Sequence, residues 1–191
     1  MTTYSESVIT APTLPFTGAR AFSHELVLVA AAIGLPVVSH ILHAPVRYLL
    51  PMHWAIILAG LMYGWRAGAL AGLLVPSLSY LLSGMPFPVV LPSMTAELFT
   101  YGLVAGMIRE KTGLSAFVSV AIALVAGRLI FILVGLVTNS QVADFAGYLR
   151  TALTPGLVAA ICQVIFLPYV ARSWVRREHR RDTLNIFTNL R

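Results

Sequence analysis

The sequence predicts an all-α membrane protein, a bundle of six transmembrane helices with both termini in the cytoplasm. Apolar residues make up 58% of the 191 residues and charged residues only 10%, whereas about a quarter of a soluble domain is charged. The apolar residues also form long continuous stretches, which spanning helices require and which the alternating strands of a membrane β-barrel do not show.

Six apolar stretches follow a polar start, and the remaining length leaves no room for a seventh span or a separate soluble domain. We expect a polar N-terminal tail over residues 1–21, a six-helix transmembrane domain over 22–172 and a basic cytoplasmic tail over 173–191. The spans are predicted over residues 26–42, 49–64, 67–82, 89–108, 114–137 and 153–170.

The basic residues of the connections and tails predict the orientation. Alternate loops and both tails share one face of the predicted bundle, where ten basic residues lie: Arg20, Arg66, Arg109, Lys111, Arg172, Arg176, Arg177, Arg180, Arg181 and Arg191. The opposite loops carry Arg47 and Arg150 alone. Because positive charge is retained on the cytoplasmic side, this asymmetry predicts cytoplasmic termini. It also explains the net charge of +6 without nucleic-acid binding.

The first three spans are rich in small residues. In the first, Ala30, Ala31, Ala32 and Gly34 form a smooth patch that suits docking of another helix, of this chain or of a partner. In the second and third, glycines recur every four residues, a spacing that lets helix backbones approach closely. These glycines are Gly60, Gly64, Gly68 and Gly72.

The fourth and fifth spans each contain one formally charged residue, Glu97 and Arg128. Glu97 lies about 12 Å below the outer end of its helix, and Arg128 about 21 Å above the inner end of its own. In a hydrocarbon core about 30 Å thick, both lie in the outer half at similar depth and can meet. They form either a structural ion pair or a binding site for a polar substrate, and Tyr101 shares the helix face of Glu97.

Four uncharged polar side chains are predicted to reach similar depths: His40, His53, Asn139 and Gln163. Each alone is more typical of a hydrogen bond between helices, but their convergence with Glu97 and Arg128 favours a polar cavity.

His40 and His43 have metal-ligand spacing but lack further ligands, and no phosphate-binding loop or nucleophile motif occurs. We therefore expect no metal, no cofactor and no ATP hydrolysis by this chain.

Much of the chain resembles the substrate-binding (S) components of energy-coupling factor (ECF) transporters. The residues that carry the resemblance are 51–54 (PMHW), 60–73 (GLMYGWRAGALAGL), 76–79 (PSLS), 83–86 (SGMP), Glu97, 101–103 (YGL), 126–129 (AGRL), 155–156 (PG), Gln163 and Pro168.

The resemblance implies a non-catalytic, multi-pass plasma-membrane subunit that binds a vitamin or related micronutrient near the extracellular side. Its partners would be a transmembrane coupling subunit and two cytoplasmic ATPases, with Ala30, Ala31 and Gly34 as the docking face. The substrate stays open, with pantothenate, cobalamin, queuosine-type precursors and lipoate all compatible.

Two rival hypotheses also fit the residues. A small self-sufficient secondary transporter or channel would use Glu97 for proton coupling. A membrane enzyme or assembly factor would use the histidines and would show turnover or a bound metal.

Overall fold

The computed structural model describes residues 13–43, 45–138 and 145–189, and within these ranges the chain forms helices and no strands. Six helices of thirteen residues or more correspond to the six predicted spans, which confirms the predicted fold class. The helices are α1 (Gly18–Ile41), α2 (Val46–Leu49), α3 (Pro51–Tyr63), α4 (Trp65–Ser83), α5 (Leu91–Met107), α6 (Ala116–Thr138), α7 (Phe145–Leu153) and α8 (Gly156–Asn189). A π-helical turn, Ile108–Thr112, extends α5.

Four stretches among the described residues are long and apolar enough to cross a membrane: α1, α4, α6 and the stretch from Ala146 to Arg181. The helix α3 has only 13 residues, about 20 Å of length. It packs against α1, α4, α5 and α8, and none of its residues is exposed. It is the central helix of the bundle.

Two helices extend into the predicted polar tails. The first begins at Gly18, inside the predicted N-terminal tail, and the last runs to Asn189, through the predicted C-terminal tail. Hydropathy detects only the part of a helix that lies in lipid. The polar extensions are held by other contacts, such as the Arg181–Glu178 pair at 3.1 Å, one turn apart on α8.

Glycines let α3, α4 and α5 approach one another closely. A Cβ atom placed on Gly68 would lie 2.5 Å from the carbonyl oxygen of Gly102, and one on Gly60 would lie 2.6 Å from the same oxygen. No side chain fits at such distances, so the spacing of small residues serves packing, as predicted.

A sharp turn joins α3 to α4 at Gly64, whose φ of 82° favours glycine. The first amide of α4, at Trp65, donates to the Glu110 carboxylate at 3.3 Å. A carboxylate at this position satisfies a free amide and opposes the positive end of the helix dipole.

The bundle has two ends of different character. The basic end contains the α3–α4 turn, the π-helical turn and the last turns of α8, with Arg66, Arg109 and Lys111. The opposite end contains the starts of α3, α5 and α8 and the last turns of α1, α4 and α6. We call it the polar-cluster end, because Glu97 and Arg128 lie toward it.

Candidate functional site

Glu97 is the centre of a buried polar cluster near the start of α5. Its side chain is 2% exposed. One carboxylate oxygen, Oε1, accepts a hydrogen bond from the Tyr101 hydroxyl at 2.6 Å and lies 3.2 Å from Nη1 of Arg128. The other, Oε2, lies 3.6 Å from Nε2 of His53. The structure thus brings together four of the residues singled out from the sequence, on three different helices.

Two glycines make room for side chains of the cluster, Gly156 for Arg128 and Gly127 for Tyr101. A Cβ on Gly156, at the start of α8, would lie 2.6 Å from Nη2 of Arg128, and a Cβ on Gly127 would collide with the Tyr101 ring. The guanidinium also lies 5.3 Å from the ring centre of Phe131, within the range of a cation–π interaction. Arg128 is more accessible than Glu97, because 19% of its side chain is exposed.

His53 is buried without a complete set of partners. It is 2% exposed and its ring centre lies 5.4 Å from that of Tyr101. Its distance of 3.6 Å to Glu97 is too long for a hydrogen bond. Over the described residues neither ring nitrogen has a hydrogen-bond partner.

Gln163 lies on α8, which packs against α3 and α6. Its exposure is 0%, and neither its amide nitrogen nor its amide oxygen has a partner among the described residues. It follows Gly156, the contact point with Arg128, by seven residues, which is two helical turns on the same face. Gln163 therefore faces the same interior as the cluster, about 10 Å further along the helix.

Two predicted site residues do not join the cluster within the described structure. His40 is exposed on the last turn of α1, and Asn139 lies outside the described residues. Helical depth alone placed His40 near Arg128, but depth does not determine which side of a helix a residue occupies.

The predicted docking residues lie on a side of α1 that the other helices leave at least partly exposed. Ala30 is exposed and Ala31 and Gly34 are half-buried, while the neighbouring Ala32 is buried. A Cβ on Gly34 would meet nothing within 4 Å. The described part of the chain therefore does not fully cover this face of α1.

Sequence reasoning missed two polar residues near the cluster, Ser93 and Tyr148. Ser93 is 2% exposed and precedes Glu97 by one helical turn. The Tyr148 hydroxyl occupies the place that a Cβ of Gly135 would take, and Oγ of Ser93 lies 3.5 Å from the same position. No sequence signal pairs Tyr148 with Gly135, because their contact depends on how the two helices pack.

A cavity of about 160 Å³ lies at the basic end, far from the cluster. Its lining includes Arg20, His24, Tyr63 and Glu178. These side chains contact one another: His24 Nδ1 lies 2.6 Å from the Tyr63 hydroxyl, and Arg20 lies 3.5 Å from Glu178. The contacts tie α1 to the ends of α3 and α8. We attribute a packing role to this region, because its polar side chains already pair with each other.

The geometry of the Glu97 cluster suits reversible binding better than covalent chemistry. Its charged pair is mutually neutralised, and its imidazole and amide lack hydrogen-bond partners in the described structure. Buried polar groups are normally hydrogen-bonded, so a ligand that supplied the missing bonds would be held. The fold and the cluster together define a multi-pass membrane protein with a polar site between its helices.

Comparison with known proteins gives the family. The sequence model described as ECF transporter, substrate-specific component, matches residues 24–171, which include most of α1, all of α2 to α7 and the first half of α8. The chain belongs to this family, and it is a multi-pass plasma-membrane protein and a substrate-specific subunit of a transporter. No curated protein and no solved structure gives a significant match.

Proposed function

We propose that this subunit captures a vitamin or related micronutrient from the extracellular side, for import powered by partner ATPases. The observation that carries the proposal is the buried Glu97–Arg128 pair with the unpartnered groups of His53 and Gln163 beside it. Membership of the family supports the part of the proposal that concerns a small-molecule substrate and partner coupling and ATPase modules.

The distribution of basic residues supports extracellular capture. Arg66, Arg109 and Lys111 lie at the basic end, which the positive-inside rule assigns to the cytoplasm. The polar-cluster end then faces outward, and a substrate would reach Arg128 from outside the cell.

In this site, Arg128 contacts a carbonyl or other acceptor of the substrate. Glu97 orients Arg128 in the empty protein and is itself fixed by the Tyr101 hydroxyl. His53 and Gln163 supply directional hydrogen bonds, and the rigid helices hold these groups in place before the substrate arrives. Such preorganisation strengthens binding because few groups need to be ordered on association.

The small-residue face of α1 serves partner docking in this proposal. Ala30, Ala31 and Gly34 allow a partner helix to approach closely, since small residues let helix backbones come together in lipid. Gly34 has open space around it, as a docking position requires.

The first experiment is mass spectrometry of small molecules released from the purified protein and from its Arg128→Ala variant. We expect a stoichiometric vitamin-like compound in the unchanged protein and none in the variant. Arg66→Ala is the matched control, because Arg66 is exposed at the basic end and its loss leaves the cluster intact. Equal retention by Arg128→Ala and the unchanged protein would contradict the site.

Reconstitution separates this proposal from a self-sufficient secondary transporter. Vesicles that contain only this chain should bind the compound without accumulating it, because the chain lacks a phosphate-binding loop. Accumulation driven by a proton gradient would instead favour Glu97 as a proton-coupling group.

A further inference from the structure

We infer that the substrate is an uncharged molecule with an amide, lactam or urea group, and that Gln163 selects it. The inference rests on the proposed function, because it takes the Glu97 cluster as the substrate site. It narrows the substrate class by excluding phosphorylated and polycarboxylate ligands.

The charge of the site is already balanced. In the three helices that form the cluster, α3, α5 and α6, Glu97 and Arg128 are the only formally charged residues, and Arg150, on α7, is exposed. Arg128 lies 3.2 Å from Glu97 Oε1, so the pair has no net charge. An anionic substrate at Arg128 would lie close to the Glu97 carboxylate in a region of low dielectric, where like charges repel strongly. A neutral acceptor meets no such repulsion.

The hydrogen-bonding groups of the site, in contrast to its charges, are not all satisfied in the described structure. Gln163 has two donors and an acceptor with no partner among the described residues, at an exposure of 0%. An amide in a substrate offers a carbonyl to Gln163 Nε2 and an N–H to Gln163 Oε1 at the same time. A carboxylate or phosphate offers acceptors only, so the Gln163 oxygen would stay unsatisfied.

Two side chains of the site lie at different positions along α8: Arg128, which contacts this helix, and Gln163, which belongs to it. Gln163 lies about 10 Å along α8 from Gly156, where Arg128 contacts this helix. A substrate that contacts both side chains carries an acceptor for Arg128 and an amide-like group for Gln163. The ring nitrogens of His53 have no hydrogen-bond partner in the described structure, so His53 is available for a further hydrogen bond.

The test uses the purified full chain and a small-molecule extract of rich growth medium, divided by ion exchange at neutral pH into neutral, cationic and anionic fractions. We expect the neutral fraction alone to raise the unfolding temperature, by about 5 °C or more near 100 times the dissociation constant. Stabilisation by the anionic or cationic fraction would overturn the inference and leave the proposed capture function standing. If no fraction stabilises the protein, the proposed function is contradicted as well.

The variant Gln163→Leu tests the role of this residue. Because it removes an unsatisfied buried amide, we expect it to raise the unfolding temperature of the empty protein by roughly 2–6 °C and to abolish the response to the neutral fraction. Ser119→Ala is the control: Ser119 is equally buried but its hydroxyl donates to the Ser115 carbonyl at 3.2 Å. It should lower the unfolding temperature slightly and keep the response. A Gln163→Leu variant that is less stable and still responds would overturn the inference.

Discussion

The Glu97 carboxylate depends on the Tyr101 hydroxyl, one turn further along α5, for its shortest hydrogen bond, at 2.6 Å. Both residues are 2% exposed, so water cannot replace that hydroxyl. We expect Tyr101→Phe to lower the free energy of unfolding by about 1.5–3 kcal/mol, the range for hydrogen bonds to charged groups. Chemical denaturation in detergent measures this change.

Tyr169→Phe is the control for that measurement, because Tyr169 is 62% exposed. Its effect should stay within about 0.5 kcal/mol, as for most surface substitutions. Equal losses in the two variants would show that the Tyr101 hydroxyl does not stabilise Glu97.

At the same residue scale, the sequence predicted the depth of side chains well and their direction poorly. Glu97 and Arg128 were expected at one depth, and the structure places them 3.2 Å apart. His40 was expected at that depth too, but it is exposed on α1. Depth follows from counting residues at a fixed rise, whereas direction depends on which neighbours each helix face meets. Glu25, buried at 5% exposure, was missed because it precedes the predicted start of the first span.

At the scale of helices, backbone contact at Gly68 limits how α4 and α5 can pack. A Cβ there would lie 2.5 Å from the Gly102 oxygen and 2.7 Å from the Gly60 Cα, and backbone atoms cannot move aside as a flexible side chain can. We expect Gly68→Ala to destabilise the protein by about 1–3 kcal/mol or more, measured by thermal unfolding.

Gly34→Ala is the matched glycine substitution, since a Cβ at Gly34 meets nothing within 4 Å. Alanine favours helix over glycine by about 1 kcal/mol, so this variant should be as stable as the unchanged protein or slightly more stable. The opposite ranking of the two variants would contradict the close packing of α4 and α5.

The helices themselves were largely predictable from hydropathy, and their ends were not. All six predicted spans have a corresponding helix, but α1 begins at Gly18 and α8 extends to Asn189. The extensions are polar and lie beyond the apolar stretches, so hydropathy does not detect them. They are stabilised by contacts such as Arg20 with Glu178, at 3.5 Å, which join residues far apart in the sequence.

For the molecule as a whole, orientation in the membrane decides from which side the substrate enters. In a background in which the single cysteine is removed by Cys162→Ala, we would introduce Phe87→Cys, between α4 and α5, or Lys111→Cys, in the π-helical turn. Both positions are exposed. A membrane-impermeant maleimide should label Phe87→Cys on intact cells and Lys111→Cys only after permeabilisation. The reverse pattern would contradict extracellular capture.

Assembly with partners is the second property of the whole molecule. We expect Ala30→Leu combined with Gly34→Leu to spare substrate binding and to reduce transport at least about tenfold, because bulk on this face of α1 prevents close helix approach. Binding by the purified chain and uptake by cells with the complete transporter measure the two effects. Loss of binding would show instead that this face packs within the subunit.

The position of α3 has a consequence for how the protein enters the membrane and how its specificity can diverge. A helix of about 20 Å that carries His53 is a weak insertion signal by itself, and Gly64 joins it directly to α4. The two helices would therefore insert together as a hairpin. Because no residue of α3 is exposed, lipid places little demand on its side chains. A substitution at position 53 can therefore change the substrate specificity without changing the surface of the protein that contacts lipid.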